Sequence, residues 1–185
     1  MPGKKKQLSN PFSTGGGGNH FEAHVQASFA ALMLSNGFAP SLPCWPISRI
    51  KLQGKYDGFD TDDMIVFIEK TVGGQQRKLL AQIKHEVSIT ATGKVFGEVI
   101  QAAWHDFNNA SLFTPGQDCI ALITGPLSGT DINGARGILE WARHRSSAEE
   151  FFRTVEMSNL SSDEKRAILN FLSIVLLPMQ RSLAK

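Results

Sequence analysis

Two polar residues interrupt a stretch that otherwise has the make-up of a buried strand. In RKLLAQIKHEVSI, residues 77–89, Gln82 and Lys84 stand two places apart and so project from one face of an extended chain. A lysine is almost never fully buried unless it is paired. Upstream, Asp57, Asp60, Asp62 and Asp63 fall within seven residues, directly ahead of the apolar run MIVFIE. A carboxylate and a side-chain amide oxygen are hard donors. With waters and a backbone carbonyl they can hold Mg²⁺, which seldom receives an all-protein cage. A lysine beside them can orient a water or neutralise charge developing on a phosphate. Asp63, Gln82 and Lys84 are therefore candidates for metal-assisted chemistry at phosphorus. The same residues also fit a structural ion pair, Asp63 with Lys84, at the end of a sheet.

The elements around these residues decide whether they meet. NHFEAHVQASFAALMLSNG carries Phe21, Val25, Phe29, Leu32 and Met33 at helical spacing, with Asn19 able to cap its start and Asn36-Gly37 to end it. Three prolines between 40 and 46 forbid regular structure there. ISRIKLQ reads as a first strand, GKYDGFDTD as a loop, DMIVFIEK as a second strand, and Gly73-Gly74 as a turn into a third, KLLAQIKHEV. If that turn makes a hairpin, strands two and three are antiparallel neighbours. Asp63 then stands at the mouth of one, on the face of Ile65 and Phe67, and Gln82 and Lys84 project from the other. A slip of one residue would exchange Asp63 for Asp62, so Asp62 is the second choice. Glu22, three after Asn19, suits a capping box as well as a place in the cleft; Gln26, one turn on, could face the same cleft.

Beyond this, Phe96, Val99, Ile100, Ala103, Trp104 and Phe107 mark an amphipathic helix, with Glu98, Gln101 and His105 on its polar side. DCIALITG is a continuous apolar run, typical of a strand buried on both faces. Helices follow over roughly 132–156 and 161–177, the last with a capping box at Ser161 and Glu164. The order implies an α/β fold: a mixed central sheet flanked by helices, α-β-β-β-α-β, with a C-terminal helical extension. The expected organisation is a basic, Gly-rich lead-in over 1–18, a core over 19–125, and the helical extension over 126–185.

Composition narrows the class. No apolar run approaches 18 residues, so no membrane-spanning helix is expected, and no apolar stretch follows the N-terminal lysines as a signal peptide requires. The expected location is the cytoplasm. Cys44 and Cys119 are then expected as two buried thiols. Residues 1–56 carry six basic residues, Arg49, Lys51 and Lys55 among them, against the single acid Glu22. A basic arm beside an acidic cluster suits a polyanion and a metal cation. HFEAH has histidines at 20 and 24, but its glutamate is misplaced for a zinc-protease helix.

The run DTDD, strand, turn, QIK and amphipathic helix resembles the core of the PD-(D/E)xK nuclease superfamily. That pattern has an acid on the first helix, an acid opening the second strand, and (D/E/Q)xK on the third; Glu22, Asp63, and Gln82 with Lys84 match it. GGGGNHFEAHVQASFAALML, DTDDMIVFIE, QIKH and F-x-x-x-I-x-A-A-W-x-D-F resemble more narrowly the nuclease effectors of bacterial antiphage systems. These stand at the N-terminus of STAND-type antiviral NTPases and in cyclic-oligonucleotide-triggered double-stranded DNA endonucleases. The resemblance runs from about Gly15 to Gly125, and Gln82 stands where Asp or Glu is commoner.

The resemblance implies a restriction-endonuclease-like core and a Mg²⁺-dependent endonuclease acting on double-stranded DNA, with Mn²⁺ a possible substitute. Asp63, Gln82 and the backbone carbonyl of Ile83 would hold the metal, with Glu22 orienting water or a second cation. Lys84 would position or activate the attacking water. Arg49, Lys51 and Lys55 would contact phosphates. Cutting both strands needs two sites, so a homo-oligomer is expected, within a larger NTPase and sensor assembly. The alternative is a non-catalytic interaction module with a decayed site.

Overall fold

A computed structural model describes residues 17–87, 94–129, 141, 144 and 147–158. The lead-in over 1–16 and the expected Ser161–Glu164 capping box lie outside them. The chain falls into two compact units. Residues 1–86 with 115–125 form the first, and residues 87–114 with 126–185 the second. The first unit contains α1 (Gly17–Leu34), β1 (Ile47–Leu52), β2 (Met64–Glu69), β3 (Gln76–Lys84) and β4 (Cys119–Thr124). The second contains α2 (Lys94–Phe107) and α3 (Ala148–Met157).

Helix α1 opens at Gly17, so Asn19 lies inside its first turn and is not the cap. The glycine run extends into the helix and does not end before it. The other end closes as expected. Gly37 N–H donates to Leu32 O at 2.6 Å and Asn36 N–H to Met33 O at 3.2 Å. This Schellman pattern needs a left-handed residue at the penultimate step, and Asn36 supplies it with φ of 58°. The apolar stripe of α1 faces the sheet: Phe29 is buried, and Phe21, Val25, Leu32 and Met33 pack on the same core.

The sheet order is β1-β2-β3-β4. β1 and β3 flank β2 antiparallel, and β4 joins β3 in parallel. Met64, Val66 and Ile68 of β2, with Leu79, Ala81 and Ile83 of β3, face α1. Ile65 and Leu80, on the opposite face, are also fully buried. β2 is therefore covered on both sides, which explains its unbroken apolar sequence. Over Ile65 the chain comes so close that a Cβ on Gly54 would lie 2.5 Å from Ile65 Cδ1.

β4 departs from expectation. Its apolar run suggested a central strand, but it is the terminal strand and half-buried along its length. Its register is held by an ion pair: Lys78 Nζ lies 2.7 Å from Asp118 Oδ2, and Lys78 N–H donates to Asp118 Oδ1 at 3.0 Å. Cys44 is exposed and Cys119 half-buried, so neither is the buried thiol expected. Cys44 sits between Pro43 and Trp45 in a segment whose Leu42 and Trp45, and not Cys44, pack on the core.

In the second unit, α2 buries Phe96 and Val99, and Phe107 contacts the rings of both Trp104 and Phe113. The helix expected over 132–156 is interrupted. Ser147 caps a new helix, α3, its hydroxyl accepting from Glu150 N–H at 3.2 Å. Ser147-x-x-Glu150 is itself a capping-box spacing. Phe151 and Val155 of α3 are buried against Trp141 and Phe152. No helix among the described residues is long and apolar enough to cross a membrane.

Just past the ends of β3 and β4, Gly125 N–H donates to His85 O at 3.2 Å, and a Cβ on Gly125 would lie 2.5 Å from that same oxygen. Two backbones would have to separate to admit it. Gly125→Ala is expected to cost about 1–3 kcal/mol, as overpacking does. Gly18→Ala, in open space on α1, is expected to be neutral or stabilising by about 0.5–1 kcal/mol. Urea denaturation of the two variants beside the parent checks both.

Candidate functional site

The β2–β3 register pairs Met64 with Ala81, and its next step sets Asp63 opposite Gln82. Asp63 precedes β2 by one residue and is placed by the hairpin. Its Oδ2 accepts three hydrogen bonds: from Gln82 Nε2 at 2.6 Å, from Ile83 N–H at 2.6 Å and from Lys84 Nζ at 3.1 Å. The Asp63 and Lys84 side chains are 17% and 33% exposed, so the pair opens to solvent on one side. Lys84 thus keeps access to anything arriving from outside.

Helix α1 reaches the same place. Gln26 Nε2 donates to Glu22 Oε1 at 2.8 Å and lies 3.5 Å from the backbone carbonyl of Asp63. The structure therefore brings together Glu22, Gln26, Asp63, Gln82 and Lys84, with Gln26 between the helix acid and the strand acid. Glu22 is engaged by Gln26, one turn on, and not in a capping box with Asn19. Asp62 is different. Its carbonyl accepts from Gly54 N–H at 2.7 Å, and its side chain is not joined to Gln82 or Lys84.

Gln82 is only 7% exposed, and its buried Oε1 has no hydrogen-bond partner among the described residues. A buried amide oxygen without a donor costs free energy, and a cation would satisfy it. Among the described residues no three His, Cys, Asp or Glu side chains converge as a metal site. A site of Asp63, Glu22 and the Gln82 amide would not meet that description, because one of its three donors is neutral. Mg²⁺ accepts such a set, taking one or two carboxylates and filling the rest with water and phosphate. The residues fit the ion. At Ile83 the backbone group joined to Asp63 is the N–H; the resemblance implied the carbonyl as a ligand.

The residues expected to meet phosphate stand on β1 and the turn after it. Ile50 packs on the α1 side, so Arg49 and Lys51 lie on the face that carries Gln82 and Lys84. The Arg49 guanidinium sits 3.9 Å above the Phe67 ring. Lys51 pairs with Asp57, and Lys55 is exposed on the turn. His85 turns to the α1 side, where its ring meets Phe21 edge-on at 5.4 Å. Gln101 and His105 are exposed on α2, in the other unit.

Comparison with known proteins returned no match: no family model fits the chain, and no curated protein or solved structure is significantly similar to it. The resemblance therefore rests on the motif residues.

Sequence reasoning missed the Ile83 N–H and the Lys78–Asp118 pair. Backbone donors leave no trace in residue type, and an ion pair 40 residues apart has no local signature.

Asp63→Ala would strand an amide, a backbone N–H and an ammonium together. With hydrogen bonds involving charged groups worth about 1.5–3 kcal/mol each, and the lysine partly screened by solvent, a net loss of roughly 2–4 kcal/mol is expected. Asp63→Asn keeps one acceptor and is expected to lose less. Denaturation midpoints for both variants, at constant slope, test this ordering.

Proposed function

We propose that this protein is a metal-dependent endonuclease that hydrolyses phosphodiester bonds of double-stranded DNA with little sequence preference, as an effector of bacterial antiviral defence in the cytoplasm. The observation that carries the reading is the meeting of Asp63, Gln82 and Lys84 at one carboxylate oxygen, open to solvent on the lysine side. The element order α1-β1-β2-β3-α2-β4, with β3 and β4 parallel, supports a restriction-endonuclease-like core.

In this reading Asp63, the Gln82 amide oxygen and Glu22 would hold Mg²⁺ or Mn²⁺ together with a substrate phosphate. The bound ion would neutralise phosphate charge and lower the pKa of a coordinated water. The protein's own groups do the rest. Lys84 donates to the attacking water or to a phosphate oxygen, and its charge stabilises the extra negative charge of the transition state. Glu22, steadied by Gln26, accepts a hydrogen bond from water and orients it. Water adds at phosphorus and the P–O3′ bond breaks, leaving a 5′-phosphate and a 3′-hydroxyl. Arg49, Lys51 and Lys55 contact flanking phosphates, so binding weakens with salt. Two copies of the site, in a dimer or tetramer within a larger NTPase and sensor assembly, cut the two strands.

One observation favours a second reading, a binding module with a decayed site. The neutral Gln82 leaves the donor set one negative charge short of an all-acid version, which weakens cation binding.

Supercoiled plasmid separates the two. With Mg²⁺, nicking or linearisation is expected from the parent and none from Lys84→Ala; cleavage is expected to vanish in EDTA. Gln82→Glu is expected to lower the Mg²⁺ concentration at half-maximal rate by at least about fivefold, since one added charge–charge contact is worth about 1 kcal/mol in bulk water and more where water is partly excluded. Plasmid bound but never cut, with or without metal and with the chain forced into a dimer, would select the binding module.

A further inference from the structure

Immediately before Asp62 and Asp63 the chain forms a short 3₁₀ turn, Gly54–Asp57, fixed from every side. Gly54 N–H donates to Asp62 O at 2.7 Å, Gly58 N–H to Lys55 O at 3.0 Å, and Phe59 N–H to Gly54 O at 3.3 Å. Asp57 is tied to Lys51 of β1. Gly54 is buried against Ile65, and Phe59 is buried as well. Gln53 enters the turn in the left-handed region, with φ of 54°, and Gly58 leaves it with φ of 88°. A non-glycine residue keeps that conformation only where its surroundings over-determine it, and such residues cluster at functional sites.

From this rigid mount Tyr56 stands 92% exposed. Its ring adds nothing to the core. Neighbouring Lys55 is also exposed and in no ion pair among the described residues, since the turn's own carboxylate, Asp57, is taken by Lys51. An aromatic face and a cation, side by side on a pre-ordered turn, match the way proteins hold single-stranded nucleic acid: the charge follows the backbone and the ring takes a base. A pre-ordered backbone matters, because only the two side chains then lose freedom on contact.

We propose that Tyr56 is a base-stacking residue and Lys55 its phosphate contact, so that the site engages a nucleotide whose base is unpaired, on a single strand or at a frayed position in a duplex. The proposal rests on the nuclease reading for the role of the site and deepens it, because a base within a regular duplex has both faces covered by its neighbours. The recognition is blind to sequence, since every base has a π-face.

The test uses the full chain in EDTA and a 15-nucleotide single strand carrying one 2-aminopurine, read by fluorescence. The parent is expected to change the emission on binding, and Tyr56→Phe to do the same. Tyr56→Ala is expected to lose the change and to bind about tenfold more weakly, the order expected for one lost base–aromatic stack. The fully paired form of the same oligonucleotide is expected to give a much smaller response. Since the side chain is almost wholly in solvent, circular dichroism of Tyr56→Ala should match the parent. An unchanged affinity and emission in Tyr56→Ala overturns the proposal and points to a protein partner for this turn; absence of binding by the parent overturns it too. Plasmid cleavage by the parent, Tyr56→Ala and Lys84→Ala, read beside the fluorescence of the parent and Tyr56→Ala, keeps the two ideas apart. Cleavage that depends on Lys84 with no effect of Tyr56 sinks the stacking alone, and a Tyr56-dependent response without any cleavage sinks the hydrolysis alone.

Discussion

Asp63 Oδ2 accepts from a side-chain amide, a backbone N–H and an ammonium, and the three donors belong to consecutive residues of one strand. Side chains on a strand alternate between faces, so three consecutive side chains cannot meet at one point. The convergence works because the middle donor is main chain: Ile83 sends its side chain into the core against α1 and its N–H to the carboxylate. Gln82 and Lys84 approach from either side. One oxygen therefore fixes the start of β2 to the end of β3, holds the lysine in place, and leaves the buried amide oxygen of Gln82 without a hydrogen-bond partner among the described residues.

β3 is clamped from both neighbours by the same chemistry. On the face bearing Gln82 and Lys84, Lys78 is bound by Asp118 at the start of β4, while Lys84 is bound by Asp63 at the start of β2. The six-residue separation puts the Cα atoms of the two lysines about 20 Å apart along the strand, with Leu80 fully buried between them. The clamps differ in exposure. The Asp118 and Lys78 side chains are 4% and 20% exposed, so that pair is the more enclosed register pin; the Lys84 pair opens further outward. Solvent access, and not the kind of contact, is what distinguishes the two pairs.

Much of this arrangement was legible in the sequence, for identifiable reasons. The period-two pattern from Leu79 to Lys84 and the Gly73-Gly74 turn, read as a hairpin, bring Gln82 and Lys84 to one sheet end with Asp63 or, one residue slipped, Asp62; the hydrogen bonds select Asp63. The stripe from Phe21 to Met33 marked one side of α1 for burial, and the structure sets it on the face opposite Gln82 and Lys84. What escaped was set by contacts distant in sequence or by backbone alone. β4 has the composition of a central strand, yet its place at the edge depends on which strands pair. The start of α1 at Gly17 and the break at Ser147 are matters of capping, where competing polar residues offer nearly equal solutions. The pinned turn at Gly54 is invisible locally, because its rigidity comes from Asp62, Ile65 and Lys51.

The first unit is discontinuous: its chain leaves at Glu86 and returns at Pro115 to add β4. Synthesis on a ribosome proceeds at about 5–20 residues per second, whereas a β-hairpin closes in about 1–10 µs. Three antiparallel strands covered by a helix can already hold together. When Lys84 clears the exit tunnel, every group that meets at Asp63 has been made, and β4 is still more than a second away. The acid, amide and lysine thus can meet on the nascent chain before β4 emerges, and the parallel strand is then added to an edge whose Asp63 cluster needs nothing from it.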